Sequence, residues 1–346
     1  MLRALTHQAI QCERLGSPMY AQLFHDLARD YADNGRTFAM LAGRSQRPVH
    51  DAVPLRLAGA IHRIVLEGKD DRLARHYPSV GGSPGEDFPA DFIAYMRDHI
   101  EEIDVALTQH VQTNEIGRSV VPLVLTHWLT NFGISSCDYL ELGASAGLNL
   151  NFDRYYACYG ALRMGDSTST VRFMGDWFAD APQVPKGKVQ IRTRRGVDIS
   201  PLDIRHSDQR TKLLSFIWPD QKKRFQRTTD ALKIAQEFPV VIDQQSADDW
   251  LATQLPHHVN FPTVVFHSIV WQYLGREVQH RLRATLQQNG SLRTSDSPLI
   301  WARMEPAGEN ADVRVTIWDG RDTPQEYVLC EIGYHGQQMK WTGRQN

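Results

Sequence analysis

Long hydrophobic runs are missing from this 346-residue chain. No apolar stretch approaches the roughly 18 residues a membrane-spanning helix needs. Cysteine is scarce: Cys12, Cys137, Cys158 and Cys330 are widely scattered and form no CxxC pair. That spacing supports neither a disulfide framework nor a zinc site and points to a reducing compartment. The opening stretch "MLRALTHQAIQCERLG" has a broken amphipathic pattern without an apolar core, so it does not read as a signal peptide, and a cytoplasmic address is expected. A GxGxxG run is absent, which argues against a dinucleotide fingerprint. There is no internal repeat and no low-complexity tract.

What is present is the balance of an ordinary globular protein, 42% hydrophobic and 23% charged. The length suggests two domains, or one with a large appendage. The net charge of −2 is unevenly spread: Lys186 to Arg227 holds twelve Lys/Arg against four Asp, a local +8, leaving about −10 elsewhere. Such a run can face an anionic substrate or nucleic acid, but a solvated helical face explains it more simply. Phe216, Trp218 and Phe225 interleave with the charges at a spacing that equally suits a helix core.

Residues 1–115 read as helical. "SPMYAQLFHDLARDYAD" places Tyr20, Leu23, Phe24, Leu27 and Tyr31 at three-and-four spacing behind a Ser17-Pro18 start. "VPLRLAGAIHRIVLEG" repeats the pattern and stops at Gly68. A loop over Tyr77 to Pro89 precedes one more helical run, "DFIAYMRDHIEEIDVALTQHV". From residue 116 the texture changes. A helix containing "VPLVLTHWLTNF" leads into "CDYLELG", and helical stretches then alternate with "KVQIRT", "FPVVID", "PTVVFHS", "SPLIWARME", "VRVTIWDG" and "EYVLCEIGYH". This alternation predicts a parallel α/β sheet covered on both faces, with an antiparallel hairpin formed by the last two strands.

The segment Tyr139 to Asn151, "YLELGASAGLNLN", admits two parses. As Gly143-x-Ser145-x-Gly147 it is a nucleophile elbow, with Asp243 and His267 or His335 as partners for Ser145. An elbow strand needs several strands before it, whereas the preceding chain reads as helix. As Glu141-x-Gly143-x-x-x-Gly147 it is the first loop of a cofactor-binding domain, whose ligand sits at the carboxyl ends of the strands. The order of the rest supports that parse. Asp198 in "GVDIS" is placed to accept ribose hydroxyls. Ser246, Ala247 and Asp248 follow a third strand and are placed to reach an adenine edge. "TVVFHSIVWQYL" supplies a fourth strand ending at His267.

This ordered set, "ELGASAG", "GVDIS", "QSADDW" and "VVFHSIVWQYL", resembles the class I S-adenosylmethionine-dependent methyltransferases over residues 115–346. "TNEIGR", "ELGASAGLNLNFDRYYACYG" and "WARMEP" more specifically resemble an uncharacterised bacterial family, a domain of unknown function. The resemblance implies a Rossmann-like, seven-stranded methyltransferase-type sheet in residues 116–346, with an insertion at about 160–185. It implies S-adenosylmethionine as cofactor and a small molecule or macromolecular side group as methyl acceptor. Glu141 would repel a pyrophosphate but suits the ammonium of a methionine moiety. Two features depart from the usual pattern. Ser145 stands where a middle glycine is common, and about 50 residues separate Gly147 from Asp198 where about twenty are usual; "LRMGDSTSTVRFMGDWF" is expected to form a hairpin there.

Candidate cofactor contacts are therefore Arg118, Glu141, Gly143, Ser145, Gly147, Asp198, Ser246, Ala247 and Asp248. Arg118, one helical turn from Asn114, can hold the methionine carboxylate, or it can make an ordinary ion pair. Asn149 is expected in the first turn of the following helix, as a cap or a ligand contact. The chemistry requires alignment of the acceptor and removal of its proton, which nominates His267, Tyr273 and Glu305, with His335 nearby. Each has a structural alternative: His267 can lock its turn, and Trp271 with Tyr273 can pack in a core. His267-Ser268 is not the Asp/Asn-Pro-Pro-aromatic signature of amino methyltransferases, so a binding or regulatory module on the same fold is the second expectation. No metal site is expected.

Overall fold

The computed structural model describes residues 1–109 and 111–345. The chain divides into two compact units, Met1–Thr113 with Arg205–Thr229, and Asn114–Ile204 with Asp230–Asn346. The leading segment of the first unit ends at Thr113. The segment Arg205–Thr229 belongs to the first unit, although strand–helix alternation assigned it to the second.

The first unit is built from α1 (Leu2–Arg14), α2 (Pro18–Ala32), α3 (Arg36–Leu41), α4 (Val53–Leu66), α5 (Asp71–Ala74), α6 (Phe88–Asp98) and α7 (Ile100–Leu107). After α8 (Val120–Trp128) of the other unit, α9 (Ser207–Ser215) and the start of α10 (Lys222–Glu237) complete it. The α2 stripe is buried as its spacing requires: Tyr20, Leu23, Phe24 and Leu27 join Leu57, Ile61, Phe92 and Trp218 in one core. Each large apolar side chain there contributes roughly 1.5–3 kcal/mol. Ser17 precedes Pro18 at the start of α2, but its hydroxyl donates to Asp220 Oδ1 (2.6 Å) and accepts no N–H of its own helix. The other oxygen of Asp220 accepts from Met19 N (3.1 Å), so a residue from the far segment caps this helix. Gly68 ends α4 at φ 67°. Lys69 N reaches Ile64 O and Gly68 N reaches Val65 O, the bond pair of a Schellman stop. The run read as one helix from residue 91 breaks at His99 (φ −132°, ψ 44°), whose ring stacks on Tyr95 at 4.0 Å. His110, at the end of that run, lies outside the described residues.

The second unit holds an eight-stranded sheet. Its strands are β1 (Ser136–Leu142), β5 (Gln190–Asp198), β6 (Val241–Gln244), β7 (Thr263–Ser268), β8 (Leu299–Ala307), β9 (Asn310–Trp318), β10 (Gln325–Ile332) and β11 (Lys340–Gln345). A separate three-stranded sheet holds β2 (Tyr156–Tyr159), β3 (Leu162–Gly165) and β4 (Arg172–Met174). The large sheet runs in the order β11-β10-β9-β8-β7-β1-β5-β6. From β6 to β8 all pairings are parallel, and from β8 to β11 all are antiparallel.

The seven-stranded expectation is corrected to eight by β11. The single hairpin becomes a meander of three antiparallel pairings, because Gly308 (φ 82°) also lets β8 turn straight into β9. The expected hairpin insertion is the small sheet, where β3 and β4 flank β2 instead of pairing with each other. On one face of the large sheet, α11 (Ala247–Gln254) and α12 (Arg276–Gly290) contribute Trp250, Leu251, Leu282 and Leu286 to a core with Leu140, Leu142, Val197 and Val265. All four cysteines are free thiols. Among the described residues no helix is long and apolar enough to cross a membrane.

Candidate functional site

β1 lies between β5 and β7, and chain order reverses there: β5 and β6 extend to one side, β7 and β8 to the other. Carboxyl ends of parallel strands at such a reversal are where open α/β sheets hold ligands. Glu141, on the last turn of β1, is 2% exposed and its Oε2 has no hydrogen-bond partner. Burial, reinforced by the charge of Asp198 and opposed by the Arg118 guanidinium, pushes its carboxyl up to about 8.

The loop after β1 is wound left-handed at alternate residues: Gly143, Ser145 and Gly147 have φ of 71°, 54° and 70°. Backbone groups hold it. Gly143 N and Ala144 N both donate to Val197 O at the end of β5. Ser145 N donates to Asp198 Oδ2 (2.9 Å), and Ser200 N to Asp198 Oδ1 (2.9 Å). The Ser145 hydroxyl is buried with no hydrogen-bond partner. The glycines serve packing as well as backbone freedom. A Cβ on Gly143 would lie 2.4 Å from Val270, and one on Gly147 would lie 2.7 Å from Val240 and Ile242. What approaches this backbone closely is the protein itself. After Gly147 the chain enters a kinked 3-10 segment, Leu148–Arg154, in place of the expected α-helix. Asn149 is enclosed there, accepting from Ser119 Oγ (2.7 Å) and donating to Glu115 O (3.3 Å).

Arg118 bridges two elements. Its Nε donates to Tyr334 O (3.1 Å) and one Nη to Ser268 O (3.2 Å), tying the end of β7 to the loop after β10. His335 bonds Glu115 Oε2 through Nδ1 at 2.9 Å, while Glu115 Oε1 accepts from Gly117 N. Asn114 Oδ1 accepts from Leu148 N. The "TNEIGR" segment thus stitches the glycine loop to the carboxyl-terminal strands.

Beside Leu142 in the sheet register stands His267, 1% exposed. Both its ring nitrogens are engaged: Nδ1 with Glu305 Oε1 at 2.6 Å, and Nε2 with the Trp301 indole N–H at 3.0 Å. Because Nε2 accepts, the ring is neutral with its proton on Nδ1, and it has no nitrogen left to take an acceptor's proton. Glu305 Oε1 also accepts from Val270 N and Trp271 N, whereas its Oε2 is buried without a partner. Trp271 stacks on His267 at 5.3 Å. Tyr273 is 72% exposed and stands apart from this cluster. Ser246 and Asp248 are joined to each other, and Asp248 pairs with Arg281 of α12. With Ala247 they open α11, and Asp248 clamps that helix to α12.

Sequence reading missed Glu115 and Trp301. Period-two alternation in "WARME" places Trp301 and Glu305 on one face of β8 and was the available signal for the latter. Among the described residues one grouping has metal-ligand chemistry, His76, Asp87 and Asp91 in the helical unit. The Arg75 guanidinium already bridges both carboxylates there.

No curated protein and no solved structure matches the chain. Residues 3–341 match the family DUF2332, described as an uncharacterized protein conserved in bacteria, and the chain belongs to that family.

Proposed function

We propose that the carboxyl ends of β1, β5 and β6 bind S-adenosylmethionine, and that the bound cofactor's methyl group is passed to an acceptor at the ends of β7 and β8. The carrying observation is Glu141, a buried carboxyl with an unpartnered oxygen and an ionisation pushed up to about 8. A ligand ammonium against Oε2 would supply both the missing donor and the counter-charge, while Arg118 suits the neighbouring carboxylate of an amino-acid moiety. Asp198 retains acceptor lone pairs for a ribose, since each of its oxygens takes one backbone N–H. Glu305 Oε2 is the available proton acceptor in the neighbouring cluster, with His267 and the two tryptophans orienting it.

The test is calorimetric titration of the whole chain with S-adenosylmethionine and S-adenosylhomocysteine, at pH 7 and in buffers of different ionisation enthalpy. Binding of an ammonium to Glu141 ionises its carboxyl, so release of a proton is expected. Glu141→Gln should remove both the binding and the release. Absence of binding by either ligand at millimolar concentration overturns the assignment.

A binding or regulatory module on this same site is the second reading, favoured by the engagement of both His267 nitrogens. Binding without methyl transfer to any offered amine, hydroxyl or thiol acceptor would select it. The serine-hydrolase reading has no base at hand: Ser145 Oγ has no hydrogen-bond partner, and both ring nitrogens of His267 are engaged by Glu305 and Trp301.

A further inference from the structure

The helical unit carries a groove of about 220 Å³ between α4, α7 and the end of α9. Its floor is apolar, formed by Gly59, Ile103 and Phe216, with Val105, 68% exposed, on the lip. Gly59 is required at that floor because a Cβ would lie 2.6 Å from the Phe216 ring. The charged lining is unbalanced, with Arg56, Arg63, Lys69 and Lys212 against Glu67 and Glu102.

Of the two acids Glu67 is already taken, and the charge of Glu102 acts on Lys69. Glu67 gives one oxygen to Arg63 (2.7 Å) and the other to Lys69 (2.7 Å), and Glu102 accepts from the Tyr95 hydroxyl (3.4 Å). Lys212 has no such contact. It is half-buried, close enough to Arg63 to be repelled by it, and attracted by Asp208, one turn earlier on α9. Burial and Arg63 together hold its ammonium below the usual lysine range. This lysine belongs to the part of the basic run, Arg205 to Arg227, that lies in the helical unit.

We propose that this groove binds a small organic monoanion, a carboxylate with an apolar body, its charge between Lys212 and Arg63 and its body over Gly59, Ile103 and Phe216. A monoanion fits because Arg63 and Lys69 already share Glu67, whereas Lys212 makes no ion pair among the described residues. A second negative charge would fall on an apolar floor that cannot solvate it.

The probe is 1-naphthoate, titrated into the full chain and followed by calorimetry and by protection of Lys212 from amine acylation, read by mass spectrometry. Inorganic phosphate tests charge without body, and 1-naphthalenemethanol tests body without charge. Saturable binding of one naphthoate that shields Lys212 is expected, with both comparison compounds about tenfold weaker or more. Lys212→Gln, which keeps length and polarity, should weaken naphthoate about tenfold, the effect of losing one charge-assisted contact. Ala106→Trp, which fills the groove, should abolish binding. Thermal melts establish that both variants are folded. Equal binding by wild type and both variants, phosphate outcompeting naphthoate, or no saturable naphthoate binding by wild type each overturns the proposal.

Discussion

Ser145 and Glu141 are both buried polar groups with an unpartnered atom, yet their consequences differ because one is neutral and the other ionisable. The Ser145 hydroxyl has no general base within hydrogen-bond reach, so it should not react with a fluorophosphonate probe. Ser145→Ala removes an unsatisfied hydroxyl and should leave stability within about 0.5 kcal/mol of wild type. If the hydroxyl meets the cofactor, affinity falls by at most roughly tenfold, the value of one hydrogen bond. Ser145→Gly should be tolerated or stabilising, because glycine relieves a left-handed conformation that costs an L-residue about 1 kcal/mol. Stoichiometric labelling that vanishes in Ser145→Ala would restore the hydrolase. Glu141 behaves oppositely. Its folded-state ionisation at about 8 lies above the unfolded value near 4.5, so the folded state holds its proton longer. Stability is therefore lost as pH rises from about 4.5 to 8, by roughly 3–6 kcal/mol in the limit. Glu141→Gln should match wild type near pH 5 and exceed it at pH 8.5 in chemical denaturation, while losing the ligand. A variant that is less stable at both pH values would show that the carboxyl is held by something other than burial.

At the scale of elements, the glycine loop is defined by its neighbours. Gly143 combines a φ of 71° with a Val270 methyl 2.4 Å from any added Cβ. Gly143→Val should therefore destabilise the protein by roughly 2–4 kcal/mol, from strain and overpacking together. Urea denaturation measures this directly, and an unchanged midpoint would mean that the turn re-forms around the side chain. This variant reports on folding rather than on ligand binding alone, so cofactor tests belong on Glu141 and Asp198. Strand β5 shows how tertiary pairing completes local pattern. The strand read at "KVQIRT" continues through Arg194 and Arg195 to Asp198. In the sheet Arg194 pairs with Asp153 at 2.6 and 2.8 Å, and Arg195 pairs with Asp243 at 2.6 and 2.8 Å. Both contacts are bidentate, which lets a charged segment occupy a strand beside β1.

For the molecule as a whole, the two units carry buried titrating groups of opposite sign. In the helical unit His62 is fully buried, bonded to Ser215 O at 3.0 Å and Ser79 Oγ at 2.8 Å, and burial pushes it down to about 4. The unfolded state gains a proton at about 6.5 that the folded ring refuses, so this unit loses stability as pH falls from about 6.5 to 4. Glu141 penalises the sheet unit in the alkaline direction. Unfolding followed by hydrogen exchange should find the helical unit the more acid-sensitive and the sheet unit the more alkali-sensitive. His62→Gln should flatten the acid limb alone. The same variant flattening the alkaline limb would contradict the assignment. Connectivity adds a further expectation. A fragment ending at residue 113 lacks Trp218, the Asp220 cap on α2 and the Ser215 carbonyl under His62. By circular dichroism it should not unfold cooperatively, whereas the full chain should.

Periodicity and turn chemistry were enough to place the α2 stripe, the Gly68 stop, six of the later strands and the loop at Gly143 to Gly147, since each depends on neighbours a few residues away. Glu141 and Asp198 were legible as acids at strand ends, and the structure brings them to one rim with Arg118. The rest was decided by long-range contact. A carboxylate from residue 220 caps a helix beginning at residue 18, and Asp153 and Asp243 neutralise arginines in β5. The His267 ring is closed on both sides by residues more than thirty positions away, a fact that changes its chemistry and leaves no trace in local sequence. The physical reason is common to all three. Removing a charge or ring nitrogen from water demands a partner, and any part of the chain that the fold brings within about 3 Å can supply it.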